Sequence, residues 1–236
     1  MISRVTELRL VSLAGVLLAV LFIAWPQLDL IASRAFYESG WQYLIEFDGP
    51  LRTAIYWATP PLGQGLLLIL AVLLGLASSK RWPRLRAKRA VIGFLLASAL
   101  LGPILLVDTV FKNHWGRARP SQVQEFGGKR QFTPAFIPAK ECKRNCSFVS
   151  GHVATGAFLM AFGWLGAPAI RRRWLLIGLG TAAYLAWTRM SAGGHFLSDT
   201  IFAWFATYYG LWLTEIFFRW RGWLPPPPSD KAERST

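Results

Sequence analysis

Two histidines and one aspartate carry the clearest chemical signal in this chain. His195 and Asp199 are four residues apart, so on a helix their side chains would share one face. A carboxylate on one imidazole nitrogen fixes the tautomer and leaves the other nitrogen free to attack an electrophile. His152, at the start of a separate apolar stretch, could protonate a leaving oxygen. The pattern is typical of nucleophilic catalysis by histidine, although each motif alone also fits an ordinary helix cap.

Basic and small residues accompany these side chains and indicate what the electrophile would be. Lys112, Arg119 and Arg189 stand at the ends of apolar stretches, where a guanidinium can donate two hydrogen bonds to phosphate oxygens and an ammonium adds a compact charge. Ser150 and Gly151 open another apolar stretch, and the free N–H groups of a helix start bind anions. We therefore expect chemistry on a phosphate group.

The elements that must position these residues are apolar segments long enough to span a bilayer. The chain has 236 residues, of which 53% are hydrophobic, and a spanning helix needs about 17 to 25 mostly apolar residues. The fold class expected is therefore an all-α polytopic membrane protein with six transmembrane helices, in one domain over residues 1–224. A proline-rich, polar tail over residues 225–236 is expected to be disordered and cytoplasmic. The six predicted spans are Leu10–Trp25, Pro61–Ser78, Ala90–Val107, Val153–Ile170, Trp174–Trp187 and Thr200–Phe218.

The net charge of +14 is distributed as in a membrane protein rather than a nucleic-acid-binding one. Cations crowd the N-terminus and the ends of the second, fourth and sixth spans, which predicts that both termini are cytoplasmic. The residues suited to phosphate chemistry form three clusters, Lys112–Pro120, Ser150–His152 and Arg189–Asp199, which then share the opposite, periplasmic face. The basic clusters would mainly set this topology, with contacts to anionic lipid as a second role. They are Arg4, Arg9, Lys80, Arg81, Arg84, Arg86, Lys88, Arg89, Arg171, Arg172, Arg173, Arg219 and Arg221.

The two cysteines, Cys142 and Cys146, lie four residues apart in the loop on the periplasmic side. In an oxidising compartment a disulfide could close this small turn. The spacing permits the bond without requiring it, so two free thiols stay an alternative. A zinc site is less favoured, because no second pair of matching ligands accompanies the cysteines.

Three ordered blocks at fixed spacing resemble the type 2 phosphatidic acid phosphatase (PAP2) family, the membrane branch of the superfamily that includes vanadium haloperoxidases. That family's pattern is K-x6-RP, then PSGH, then SR-x5-H-x3-D. The resemblance covers about residues 90–215 and departs from the pattern at Val149, in place of proline, and Thr188, in place of serine. The matching residues are Lys112, Arg119 and Pro120, then Ser150, Gly151 and His152, then Arg189, His195 and Asp199.

The resemblance implies a role for each matched residue. His195 would attack phosphorus and form a phosphohistidine, Asp199 would orient it, and His152 would protonate the leaving alkoxide and then activate water. The remaining matched side chains and the Gly151 N–H would bind the phosphate oxygens. The resemblance implies no metal and no cofactor. Outside the pattern, Arg117 could also bind phosphate, and His114 fits an ordinary loop histidine better than a substrate contact.

The expected substrate is a membrane lipid carrying a phosphate monoester or pyrophosphate, processed at the outer face of a bacterial cytoplasmic membrane. Candidates are lipid A, undecaprenyl pyrophosphate and phosphatidylglycerol phosphate. The segment from Phe126 to Phe148 is most similar to bacterial relatives that dephosphorylate lipid A. A transporter or flippase for anionic lipids and a metal-dependent hydrolase stay as alternatives. The sequence leaves the oligomeric state open.

Overall fold

The computed structural model describes residues 3–38, 40–41 and 49–225, with the backbone alone at 49–52. The fold is helical, which confirms the predicted class. Apart from Pro225, the predicted tail over residues 225–236 lies outside the described residues. The helices are α1 Arg4–Ala24, α2 Gln27–Arg34, α3 Gly49–Ala77, α4 Pro83–Ala87, α5 Arg89–His114, α6 Gly151–Gly163, α7 Pro168–Ser191 and α8 Leu197–Trp220.

Four of these helices, α1, α3, α5 and α8, are long and apolar enough to cross a membrane. They correspond to the first, second, third and sixth predicted spans. Ser3 caps α1, since its Oγ accepts a hydrogen bond from the Thr6 N–H at 3.2 Å. Much of their apolar surface is exposed, including Val16, Leu68 and Leu105, as expected for side chains that face lipid.

The fourth and fifth predicted spans have different boundaries from those read in the sequence. The predicted span Val153–Ile170 is interrupted, because α6 ends at Gly163 and α7 begins at Pro168. Gly163 packs tightly against Trp174, whose ring would lie 2.4 Å from a Cβ at that position, and Pro168 occupies the first turn of α7. The predicted span Trp174–Trp187 lies wholly within α7. Six spans therefore stay a prediction, with four established by length and composition.

α5 has an irregular middle that brings its C-terminal end close to α8. Residues Leu100–Phe111 form a π-helical segment that contains Pro103, which cannot donate a backbone hydrogen bond. Gly102 and Gly210 allow the two backbones to touch, since a Cβ at Gly210 would lie 2.8 Å from the Gly102 Cα. This close approach places Lys112, at the end of α5, beside the start of α8.

α6 is the central helix of the bundle and packs against α5, α7 and α8. Its buried side chains belong to the main hydrophobic core, and they include Val153, Ala157 and Phe158. The loop 115–150 folds back over one end of the bundle, held where the Trp115 Nε1–H donates to the Ala135 carbonyl at 2.6 Å. This covered end holds all three sequence clusters.

Candidate active site

His195 lies in the short loop between α7 and α8, and its side chain is only 1% exposed. Its Nδ1 is 2.7 Å from the Ser147 carbonyl oxygen. A carbonyl only accepts hydrogen bonds, so Nδ1 carries the hydrogen and Nε2 keeps its lone pair. Burial lowers the pKa of the His195 imidazole to about 3, and the positive charge of Arg189 acts in the same direction. The ring is thus neutral at physiological pH, as a nucleophile requires.

Asp199 lies beside His195, as the spacing predicts, but it does not hydrogen-bond the imidazole directly. His195 precedes α8, and its Nδ1 lies 3.8 Å from Asp199 Oδ2, too far for a direct hydrogen bond. The carboxylate instead accepts from the Ser147 Oγ–H at 2.5 Å and the Phe196 N–H at 2.8 Å. Ser147 therefore contacts both partners, through its hydroxyl to Asp199 and through its carbonyl to His195.

Arg117 is fully buried and lies behind His195 and Asp199. Its guanidinium donates to Asp199 Oδ1 at 2.5 Å, to Asp29 Oδ2 at 2.7 Å and to the Thr133 carbonyl at 2.8 Å. The Phe196 ring packs on it, with the centroid 4.3 Å from Cζ. The phosphate-binding role considered for Arg117 from the sequence is therefore wrong, because its donors are already used by the protein.

Asp29 completes this buried network from α2, and sequence reasoning did not find it. Its carboxylate accepts from the Ser198 N–H at 2.8 Å and from the Ser198 Oγ–H at 2.6 Å, in addition to Arg117. The only local signal was a lone carboxylate in a short, largely apolar segment. Asp29 thus connects the N-terminal part of the chain to the start of α8.

His152 occupies the first turn of α6, and Tyr56 of α3 holds it in place. The imidazole stacks on the Tyr56 ring with centroids 5.1 Å apart, and its Nε2 lies 3.3 Å from the Tyr56 carbonyl. Arg189 lies 4.8 Å from the centroid of the same ring. Tyr56 therefore contacts both His152 and Arg189. Nothing in its sequence surroundings distinguished it from other interfacial aromatic residues.

The predicted phosphate ligands meet around the start of α6. A Cβ at Gly151 would lie 2.9 Å from Lys112 Nζ, so glycine is what lets the ammonium approach the helix start. Lys112, Arg119 and Arg189 all lie close enough to His152 to interact with it electrostatically. Arg119 uses one donor on the Asn145 carbonyl at 2.9 Å and keeps others for a ligand.

Two buried polar atoms of this group have no hydrogen-bond partner among the described residues. They are Ser150 Oγ and Arg189 Nε, in side chains that are respectively 0% and 3% exposed. Buried polar groups are normally satisfied, so such atoms at one site indicate a place for a polar ligand. Gly194 contributes by its lack of a side chain, because a Cβ there would lie 2.5 Å from Arg189 Nη2.

A cavity of about 320 Å³ opens beside this group, between α3 and the π-helical part of α5. One end is polar, with Lys112, His152 and Asp108, whose carboxylate pairs with Lys112 Nζ at 3.3 Å. The other end is apolar and lined by Leu66, Leu67, Ile104 and Phe158. The shape joins a charged pocket to an apolar slot.

His114 and the two cysteines, which are the remaining sequence candidates, lie outside the group of phosphate ligands. His114 Nδ1 contacts the Thr109 carbonyl at 2.9 Å at the exposed end of α5, which agrees with its reading as an ordinary histidine. Cys142 and Cys146 form a disulfide bond. The Cys146 N–H donates to the Lys112 carbonyl at 2.9 Å, so the bond ties the loop to the end of α5. Among the described residues, no group of three or more His, Cys, Asp or Glu side chains could hold a metal ion.

Comparison with known proteins places this constellation in a family. Residues 90–223 match the PAP2 superfamily. The chain is 35% identical over 199 residues to a lipid A 4'-phosphatase of Francisella tularensis subsp. novicida, covering 82% of this chain and 87% of that protein. It is 38% identical to the lipid A 4'-phosphatase of Rhizobium etli and 40% identical to that of Rhizobium leguminosarum. These alignments cover 52% and 48% of this chain, and 47% and 48% of the relatives.

No solved structure matches this chain. The family match covers more than half of the chain and contains all three sequence clusters. The Francisella relative extends the similarity over most of the chain. The chain belongs to the PAP2 superfamily, as a membrane enzyme that hydrolyses phosphoric monoesters.

Proposed function

We propose that this enzyme removes a phosphate monoester from lipid A, at the periplasmic face of a bacterial inner membrane, through a phosphohistidine intermediate. The observation that carries the proposal is the Ser147 carbonyl at 2.7 Å from His195 Nδ1, which leaves Nε2 unprotonated. The lipid A substrate class is supported by the names of the three relatives, one of which aligns over most of both chains. The slot beside His152 suits a substrate with an apolar part.

The reaction proceeds in two steps. His152 takes up a proton when the negatively charged phosphate binds beside it. His195 Nε2 attacks phosphorus while the bond from phosphorus to the lipid oxygen breaks, and His152 gives its proton to that oxygen. Water then attacks the phosphohistidine, His152 takes a proton from the water, and inorganic phosphate leaves as the N–P bond breaks. The same two histidines therefore return to their starting states.

Positive charge stabilises the phosphoryl oxygens in both transition states. Lys112, Arg119 and Arg189 supply it, and the Ser150 hydroxyl and the Gly151 N–H add neutral donors. Such groups, fixed before the substrate binds, are commonly the largest contribution to this kind of catalysis. Arg117, Asp29 and Ser147 act behind them by holding Asp199 and the His195 ring.

The test is phosphate release by purified enzyme in detergent. The panel holds lipid A, undecaprenyl pyrophosphate, phosphatidylglycerol phosphate and phosphatidic acid, each with and without EDTA. We expect lipid A to be the preferred substrate and EDTA to have no effect. Mass spectrometry of the product would show which phosphate is lost. Strong loss of turnover in EDTA would support a metal-dependent hydrolase instead.

A matched pair of histidine variants tests the nucleophile. His195→Ala should abolish turnover. When turnover of ³²P-labelled lipid is stopped with denaturant in the absence of acid, the wild-type enzyme should retain covalently bound label. The His195→Ala variant should not. His114→Ala removes a histidine from the same end of the bundle without touching the site and should keep near wild-type turnover. Retained activity in His195→Ala would refute the assignment.

The proposed orientation is tested separately, by fusing green fluorescent protein after Pro225, which should fluoresce only if that end is cytoplasmic.

A further inference from the structure

A second cavity lies at the end of the bundle far from the phosphatase site. It has a volume of about 1010 Å³ and is bounded by α1 and by the first part of α7. α7 also carries Arg189 near its other end, 18 residues beyond Arg171, which is about 27 Å along a helix. That distance approaches the thickness of a bilayer's hydrocarbon core, about 30 Å. This second cavity, here called the α1–α7 groove, therefore lies about one hydrocarbon-core thickness from the phosphatase site along α7, and the predicted six-span topology places it at the opposite leaflet.

The mouth of the α1–α7 groove carries uncompensated positive charge. Arg172 and Arg173 line it and are exposed, and among the described residues no carboxylate lies within ion-pair distance of either. Arg4 and Arg171 also line it, but they pair with Glu215 and Glu7 respectively. Among the described residues that line the groove, Glu7 is the single acidic one. The mouth therefore attracts anions.

The floor beneath this mouth is a buried network. Arg171 donates to Glu7 at 2.7 Å and to the Trp164 carbonyl at 2.7 Å, and it packs on the Trp164 ring with the centroid 3.8 Å from Cζ. The Tyr208 hydroxyl donates to the same Glu7 carboxylate at 2.9 Å. The network connects α1, α7 and α8, so the separation of the groove walls is set by the protein before any ligand binds.

The walls of the groove are apolar and open to the membrane. Leu10 of α1 is 52% exposed and Leu176 of α7 is 59% exposed, with Val11 and Leu175 beside them. A soluble anion would gain nothing from these walls, whereas acyl chains would cover them. We propose that the α1–α7 groove binds one anionic phospholipid of the leaflet opposite the phosphatase site. Its phosphate lies at Arg172 and Arg173, and its chains lie along Leu10 and Leu176.

Native mass spectrometry of the full chain in neutral detergent tests this site, with phosphatidylglycerol and phosphatidylcholine of the same acyl chains as probes. The charge variant is R172Q/R173Q. Its matched control is R84Q/R86Q, which removes two exposed arginines of α4 that do not line the groove. A third variant, Leu176→Trp, fills the groove without changing charge. Monodisperse elution and an unchanged helical circular dichroism spectrum verify that each variant is folded.

We expect wild-type protein to retain one phosphatidylglycerol in preference to phosphatidylcholine. Basic residues near a membrane surface each contribute about 1 kcal/mol to anionic lipid binding, so R172Q/R173Q should weaken retention on the order of tenfold or more. Leu176→Trp should also weaken it, and R84Q/R86Q should not. Three results would overturn the proposal. R84Q/R86Q could lose bound lipid as strongly as R172Q/R173Q does, or the wild-type protein could retain both lipids equally. The protein could also be a dimer that Leu176→Trp dissociates, which would mean that a second copy covers the groove. The readout is binding, so it is independent of the proposed substrate.

Discussion

Replacing Arg117 with methionine tests whether the network behind the site is built as described. Arg117 is completely buried and is the shared partner of two buried carboxylates, Asp29 and Asp199. Methionine keeps much of the side-chain volume and removes the charge. The variant therefore leaves two carboxylates in a dry environment without their cation.

The expected loss of stability in Arg117→Met follows from the complete burial of this side chain. Removing one member of a buried ion pair costs about 3–5 kcal/mol, because the remaining charge is left uncompensated. A total stability of about 5–15 kcal/mol makes this a large fraction. Because Arg117 is fully buried, solvent does not screen these charges and the estimate is not reduced. At roughly 2–4 °C per kcal/mol for a protein of this size, the melting temperature should fall on the order of 10 °C.

The assay compares Arg117→Met with Arg119→Met, two arginines that are neighbours in sequence. Arg119 makes one backbone hydrogen bond and faces the site, so its loss should lower kcat/KM while shifting the melting temperature by no more than about 2 °C. Arg117→Met should lower both, since Asp199 and the His195 loop lose their support. Melting is followed by fluorescence in detergent, and turnover is measured well below the melting temperature of each variant.

One result would refute this reasoning. If Arg117→Met melts within about 2 °C of wild type and loses kcat/KM as strongly as Arg119→Met does, Arg117 binds the phosphate and the buried network is misassigned. Asp29→Asn serves as a second check on the network. It keeps the Arg117–Asp199 pair balanced, so it should destabilise clearly less than Arg117→Met.

Three further predictions concern the cavity, the loop and the nucleophile. Asp108→Asn removes a half-exposed carboxylate from beside the Lys112 ammonium, so KM for a phosphorylated lipid should fall severalfold, and a rise in KM would contradict this. Reducing the Cys142–Cys146 bond should lower the free energy of unfolding by about 2 kcal/mol, which is the chain-entropy estimate for so short a loop. Melting curves with and without reductant would measure this loss. The folded state holds the pKa of His195 at about 3, below its unfolded value of about 6.5, so stability should fall as pH drops below about 6.5, by up to about 1.4 kcal/mol per unit. Melting curves of His195→Gln should show a shallower decline between pH 6.5 and 4.5, and parallel curves would refute the depressed pKa.

Local signals in the sequence were enough to predict the helical class and four apolar spans. Apolar run length is a property of adjacent residues and needs no knowledge of packing. The break after Gly163 was missed because the run stays apolar through Ile170. In the structure Gly163 packs against Trp174, and Pro168 begins the next helix. Arg171 shows the opposite case, since it reads as a topology signal and is in fact buried against Glu7.

The amino-acid sequence by itself determined the chemical groups of the site: two histidines, an aspartate and three cations at spacings that point to phosphate. It did so because each motif is local and each group has a characteristic reactivity. Only the tertiary structure decided how those groups are held. Ser147, 48 residues from His195, sets its tautomer, and Asp29, 88 residues from Arg117, pairs with that arginine inside the protein. Such partners are chosen by the packing of helices distant in the chain, and no spacing in the sequence records that packing.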